Sequence, residues 1–393
     1  MKNEVIFLNV NPICLKCGIL LPETDELKKE IENMNEQFQY FHNESTLISN
    51  NKILLLFKIN YFKIQEFKSS NDYKFIKSKF SHINTFKLED AEIQLLETNK
   101  DNNEIILESR IKSNLIPKCF YSGDLTGKRE YIIYELFKSK CVQFGESIKF
   151  IIKGIDFLNN NREKSFFGLP KESVANLVSV GERLEQVTEK NYMEIKNKLY
   201  PYLLSEGQGG ISIYKVDSSN SYKKIGGNSF GPSTLWSLFT FSCGYQDIDQ
   251  ALSEAEKGNT RLIDLSVGDI YGGNYENMAL CSDLIGSTFG KFKDNDLNKI
   301  QKKDIAKSLS ILYGVTYGHV TSMVSMKENI DRVIISGNTF HSLGLHQIIQ
   351  TSIDLYSNQN IKTIFSDYSD YFEIIGMFVK FNQTKYSRKK YLK

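Results

Sequence analysis

A chain of 393 residues is long enough to hold two lobes, each with a core of its own. Its 49 Lys+Arg against 47 Asp+Glu leave a formal net charge of +2, which gives no basic stripe for a nucleic-acid partner. Hydrophobic residues at 41% and aromatics at 12% exclude a disordered chain.

In chain order, residues 4–10 and 13–22 read as short strands around a turn, and 25–40 as a charged, helix-like stretch. Residues 52–62 read as a strand, 69–80 as helix or loop, and 93–109 as a hairpin or insertion. A strand over 115–122 and a turn over 122–127 precede amphipathic helices at 128–140 and 146–161. Residues 199–217 read as strand, Gly-rich turn and strand, with a hairpin closing at 218–224. Helices are expected at 233–243, 246–257, 276–290 and 302–327, then a strand-helix unit over 332–357, a strand at 361–365 and a last helix from about Tyr371. Strands with Gly-rich turns in each half, separated by helices, fit a two-lobed α/β protein with a cleft.

No apolar run reaches the length that spans a bilayer. The apolar start is broken by Asn9, Asn11, Pro12 and Lys16, so it is no signal peptide, and a cytoplasmic protein without membrane contact is expected. The six cysteines, at 14, 17, 119, 141, 243 and 281, form no disulfide framework. Cys14 and Cys17 make a C-x-x-C without a second pair to complete a zinc site, and read as small apolar residues on a buried strand. No metal-ligand set is assigned.

The Gly/Ser-rich loop GGNSFGPST (226–234) runs into an apolar helix, an arrangement that turns backbone N–H groups toward an anion. DIYGGNY (269–275) and STFG (287–290) follow it, and NIDRVIISGNTF (329–340) follows those. In this order the pieces resemble the eukaryotic-type (type II) pantothenate kinases. The resemblance covers most of the chain from about Leu115, with a weaker N-terminal continuation. It implies the acetate-and-sugar-kinase/Hsp70/actin (ASKHA, ribonuclease H-like) fold, with lobes over 1–190 and 191–393 and a nucleotide cleft between them. It also implies ATP with Mg²⁺ as cofactor, pantothenate as substrate, coenzyme A or acetyl-CoA as inhibitor, and a dimer with itself or with a paralogue.

Residue by residue, the resemblance places the general base at Glu130, in YSGDLTGKRE (121–130), with Gly123 and Lys128 retained and Asp124 and Leu125 in place of glycines. A helix-start carboxylate is held ionised by the dipole, as a base must be. The first phosphate loop falls on NVNPICLK (9–16): Asn9 stands for the magnesium-holding Asp, Asn11 and Pro12 for two glycines, and only Lys16 survives. The substrate and acyl-CoA loop falls on EGQGGISI (206–213), giving Gly209, Gly210 and Ser212, and the family arginine falls on Lys224. Further phosphate and nucleotide contacts fall on Gly227, Asn228, Ser229, Gly231, Gly337 and Asn338. Glu373 takes a glycine position of the nucleotide region, and His341 reads as a surface histidine. Two functions therefore stand side by side. One is ATP-dependent phosphorylation of pantothenate to 4′-phosphopantothenate, the first step of coenzyme A synthesis. The other is a catalytically impaired subunit that pairs with an active paralogue.

Overall fold

Runs of β-branched and aromatic residues bounded by Gly, Asn and Pro form strands, and longer amphipathic runs form helices. The computed structural model describes residues 5–10, 14–22, 29, 41–48, 52–60, 119–123, 141–143, 145–171, 179–181, 189–195, 198–278, 280–293, 295, 297–337 and 342–391. Contacts group the chain into two compact units, residues 1–155 with 371–393, and residues 156–370. This grouping runs differently from the halves 1–190 and 191–393, because the last helix returns to the first unit.

In unit 1 the described strands are β1 (Val5–Val10), β2 (Cys14–Pro22), β3 (Phe41–Ile48), β4 (Lys52–Asn60), β5 (Cys119–Gly123) and β6 (Cys141–Gln143). They form one sheet in the order β3-β4-β2-β1-β5-β6. β1, β2 and β4 are successively antiparallel, whereas β5 and β6 run parallel to β1. Helix α1 (Ser147–Asn161) begins in this unit. The buried side chains of the sheet include Phe7, Leu8, Cys17, Ile19, Leu20, Leu54 and Leu56. Cys17 thus lies on a buried strand, as the C-x-x-C reading expects.

Unit 2 contains β7 (Phe166–Gly168), β8 (Asn191–Met193), β9 (Tyr202–Gly207), β10 (Ile211–Ser218) and β11 (Ser221–Asn228). Helices α2 (Pro232–Cys243) and α3 (Ile248–Ala255) follow, then β12 (Leu265–Ser266), α4 (Val267–Tyr271) and β13 (Ile285–Ser287). Helix α5 (Lys302–Glu328), β14 (Arg332–Gly337), α6 (Leu343–Tyr356) and β15 (Lys362–Ile364) complete the unit, and α7 (Phe372–Tyr391) belongs to unit 1. The main sheet has the order β11-β10-β9-β14-β15. Again three antiparallel strands are followed by two that run parallel to the first.

The same strand order and directions therefore occur twice, with β3 as an extra edge strand in unit 1. A β-meander followed by parallel strands is the ribonuclease H-like pattern, so the chain is an α/β protein of two such units. In unit 2 the core lies between one sheet face (Leu203, Ile211, Ile213, Val333, Ile335) and the helices α2, α3, α5 and α6.

One expected element is corrected. Residues 276–290 are not a helix but a 3₁₀ turn at Glu276–Met278 followed by β13, which pairs with β12. Gly286 and Gly290 weaken a helix there, and the Gly268 amide instead donates to the Ser282 carbonyl at 2.7 Å. The expected elements at 25–40, 69–80, 93–109 and 128–140 lie outside the described residues, apart from residue 29, which is helical.

Candidate active site

In open α/β sheets, ligands bind beyond the carboxyl ends of the parallel strands. In unit 2 those ends are Gly207 of β9 and Gly337 of β14, which are register partners. Gly337 has φ +92°, and a Cβ on it would stand 2.8 Å from the Gly207 carbonyl carbon, so only glycine serves there. β9 turns into β10 through Gln208, Gly209 and Gly210. The loop between β11 and α2 lies directly against this turn. A Cβ on Gly210 would come 2.6 Å from the Asn228 carbonyl oxygen, and one on Gly231 would run into Gly209 and Gly210. Backbone packs on backbone. The structure thus gathers Gly209, Gly210, Asn228, Ser229, Gly231 and Gly337 into one corner, with Ser212 and Gly227 paired at its edge. Lys224 is exposed on β11, four residues before Asn228 and opposite Tyr214 of β10.

Several backbone donors of that corner are engaged within it. Gln208 N–H donates to the Gly210 carbonyl at 2.9 Å, and Gly231 N–H donates to the Ser229 carbonyl at 3.1 Å. Phe230 N–H donates to Asn228 Oδ1 at 2.9 Å. Thr234 and Leu235 N–H both donate to the Gly231 carbonyl, and Pro232 at the first position of α2 has no N–H at all. Five N–H groups that could have faced an anion are hydrogen-bonded within the loops.

The charge of the corner is also unexpected. Glu206, the penultimate residue of β9, is 8% exposed. Its Oε1 accepts from Gln208 Nε2 at 2.6 Å. Burial first, and then the Glu206 carboxylate, push the Tyr214 hydroxyl above its ordinary pKa. Burial likewise raises Tyr317 on α5, with Glu206 adding to the shift, while the Ser205 hydrogen bond opposes it. The Tyr317 hydroxyl donates to the Ser205 carbonyl at 2.9 Å, anchoring β9 just before Glu206. Nothing in the loop pattern marked Glu206, Gln208 or Tyr214 beforehand; the one visible signal was an acid immediately before a Gly-rich turn.

In unit 1 the corresponding place is the carboxyl end of β1 and β5. There Asn9 is the register partner of Lys16 on β2 and of Ser122 on β5, and Val10 is the partner of Gly123. Loops 9–16 and 121–130 therefore leave neighbouring strands at the same end of the sheet. Lys16 is 3% exposed. Lys128, Glu130, Asn338 and His341 lie outside the described residues. Glu373 is buried in the first turn of α7.

Among the described residues, no group of three or more His, Cys, Asp or Glu side chains is placed to hold a metal ion.

Comparison with known proteins settles the family. The Fumble family model matches residues 26–380, most of the chain. The chain belongs to the Fumble family. Similar curated proteins include pantothenate kinase 1 of Arabidopsis thaliana, 31% identical over 206 residues, covering 51% of this chain and 53% of that protein. The pantothenate kinase of Schizosaccharomyces pombe is 29% identical over 202 residues, with coverage of 50% and 49%. The 4′-phosphopantetheine phosphatase of Mus musculus is 28% identical over 260 residues, covering 65% of this chain and 30% of the mouse protein. The chain thus spans about half the length of the two kinases it matches and less of the phosphatase. Among solved structures, a glucokinase from Balamuthia mandrillaris in complex with glucose aligns over 96% of this chain and 93% of its own, with 11% identity and a TM-score of 0.39. Among the described residues, no helix of this Fumble protein is long and apolar enough to cross a membrane.

Proposed function

We propose that the chain serves in the ATP-dependent phosphorylation of pantothenate to 4′-phosphopantothenate, the entry step of coenzyme A synthesis. The Fumble match over residues 26–380 carries this reading. Two of the relatives above are themselves pantothenate kinases. Glu130 is the proposed base for the acceptor hydroxyl. Lys16, Gly123, Lys128 and the 227–231 loop, with Gly337 and Asn338, are the proposed surroundings of the nucleotide. Gly209, Gly210, Ser212 and Lys224 are those of pantothenate or an acyl-CoA inhibitor, and the protein works in the cytoplasm.

The five N–H groups of the unit 2 corner that are hydrogen-bonded within its own loops favour a second reading, in which this chain is the impaired member of a heterodimer with an active paralogue. One experiment separates the two. The tagged chain is purified alone and also from its native cells with whatever relative accompanies it, and both preparations are assayed for ATP-dependent phosphorylation of pantothenate. Turnover by the chain alone, abolished by Glu130→Ala, supports the first reading and removes the second. Turnover confined to the complex supports the second. No turnover in either preparation removes both.

A further inference from the structure

We infer that Tyr317 of α5 is a positioning residue for the substrate loop: through its bond to the Ser205 carbonyl it fixes the carboxyl end of β9, and with it the turn through Gln208, Gly209 and Gly210 on which pantothenate rests. The inference depends on the reading of that loop as the pantothenate loop, and adds to it a residue that touches no ligand.

A chain of three buried hydroxyls carries it. Tyr317, Ser205 and Thr321 are each 0% exposed. The Tyr317 hydroxyl donates to the Ser205 carbonyl at 2.9 Å and accepts from Ser205 Oγ at 3.1 Å. Each hydroxyl has one proton to give. The Ser205 proton goes to Tyr317, so Thr321 Oγ1 is the donor in its 3.1 Å contact with Ser205 Oγ. The bonds therefore run one way, from Thr321 to Ser205 to Tyr317, and among the described residues only the Tyr317 hydroxyl passes the chain on to backbone. Burial holds the Tyr317 phenol in its protonated, donating form. The surrounding core is apolar, with Leu203, Ile213 and Ile335 among its members. Apolar side chains of the same shape could fill this place with little loss of stability, whereas a fully bonded buried network fixes one arrangement. The hydroxyls supply direction, and the direction is toward β9.

What they hold is the start of the turn. Ser205 lies two residues before Gly207, the last residue of β9. A Cβ on Gly207 would stand 3.5 Å from Tyr317 Cε2 and 3.0 Å from Pro232 Cγ, so the tyrosine ring and the first residue of α2 close on the same point of the strand. The turn then closes through the Gln208 N–H, which donates to the Gly210 carbonyl at 2.9 Å. The neighbouring loop is bedded on the same helix. Phe230, between β11 and α2, meets Tyr313 edge-to-face with ring centroids 5.8 Å apart, and Tyr313 meets Tyr317 in the same manner at 5.8 Å. One turn of α5, from Tyr313 to Tyr317, thus supports both Gly-rich loops.

The test uses the full chain and two readouts, hydrogen exchange at the Gln208 amide and calorimetric titration with pantothenate. Tyr317→Phe removes one hydroxyl and keeps the ring. It should speed Gln208 exchange and weaken pantothenate binding, each by about three- to tenfold, the effect of one lost hydrogen bond. Thr321→Val removes a hydroxyl of the same network that does not reach backbone. It should lower the melting temperature comparably, yet leave both readouts within about twofold of the parent. Near-ultraviolet circular dichroism checks that each variant is folded. Should Tyr317→Phe not fold, the Tyr317 hydroxyl proton of the parent, followed by nuclear magnetic resonance, stands in: pantothenate should slow its exchange, and no change would overturn the inference. A folded Tyr317→Phe whose Gln208 amide exchanges at the parent's rate would also overturn it. So would Thr321→Val weakening pantothenate as much as Tyr317→Phe, since the network would then act through core stability alone. If Gln208 exchange separates the two variants but the parent does not bind pantothenate, the functional reading falls and the hold of Tyr317 on the turn stands. If pantothenate binds the parent and Tyr317→Phe equally, the functional reading stands and this one falls.

Discussion

Asp269 shows how much of this fold is held by single side chains at element ends. Ser266 caps the short helix α4, its Oγ accepting from Asp269 N–H at 3.1 Å. Asp269 Oδ2 returns the contact by accepting from Ser266 N–H at 2.8 Å, and Lys291 Nζ lies 2.5 Å from the same oxygen. Lys291 is the main cause that takes the Asp269 carboxyl from 3.8 to about 2, with the Ser266 backbone next. A depressed folded pKa means that the ionised form is the stabilising one. Its contribution is complete above the unfolded value near 3.8 and disappears as pH falls through about 2. Asp269→Asn should therefore cost stability at neutral pH, within the about 0.5–2 kcal/mol of a lost cap and toward its low end because the site is well exposed. The difference in melting temperature between the two proteins should close between about pH 4 and pH 2. Carbon-detected titration of the Asp269 carboxyl with a midpoint near 4 would show that Lys291 does not hold it.

At the scale of elements, two glycines of α5 let α6 come close. A Cβ on Gly314 would stand 2.6 Å from Ile348 Cγ2, and one on Gly318 would stand 2.7 Å from the Ile349 carbonyl oxygen. Backbone cannot yield as a side-chain tip can, so Gly318 is the stricter position. Gly318→Val should destabilise unit 2 by at least the about 1–3 kcal/mol usual for overpacking, while Gly314→Ala, facing a side chain, should cost less. Denaturant melts of both variants give the comparison; equal losses would mean that α6 moves as a rigid body to accept either. The helices of this packing were legible in the sequence. The expected span 302–327 is α5 within a residue at its carboxyl end, and 332–357 contains both β14 and α6. The stretch 276–290 misled because its apolar spacing suits a helix, whereas its conformation is decided by pairing with β12 across the loop. The far end of β11, beyond the hairpin expected at 218–224, was hidden for a related reason. Gly226 and Gly227 read as loop, yet they pair with Ile213 and Ser212 of β10, and a Cβ on Gly226 would meet Val324 of α5 at 3.0 Å. The candidate site divides in the same way. The loops were grouped through the resemblance alone, which says nothing of which way their amides face. That direction depends on contacts such as Gly231 against Gly210, between residues far apart along the chain.

At the scale of the whole molecule, the chain builds two sheets of the same order and finishes the first with its last helix. β1 and β2 lie at the N-terminus, yet the helix that covers them is α7. Phe372, Ile374, Ile375, Phe378 and Phe381 of α7 are all buried, and Phe381 meets Phe7 of β1 edge-to-face at 5.7 Å. Gly376 lies against the Phe150 backbone of α1, where a Cβ would come 2.6 Å from its carbonyl carbon, and Gly18 of β2 lies beneath Ile374. Five such side chains at about 1.5–3 kcal/mol each amount to as much as the net stability of an ordinary domain, about 5–15 kcal/mol. A chain ended after Asp370 should therefore lose unit 1 and keep unit 2, whose residues 156–370 are continuous in sequence. Hydrogen exchange reads this directly. In the shortened chain the amides of β1 and β2 should exchange at the rate of an open chain, while those of β9 and β14 retain their protection. Protection of β1 and β2 equal to that of the full chain would show that their sheet stands without α7. Loss of β9 and β14 along with them would show that the two units fold as one.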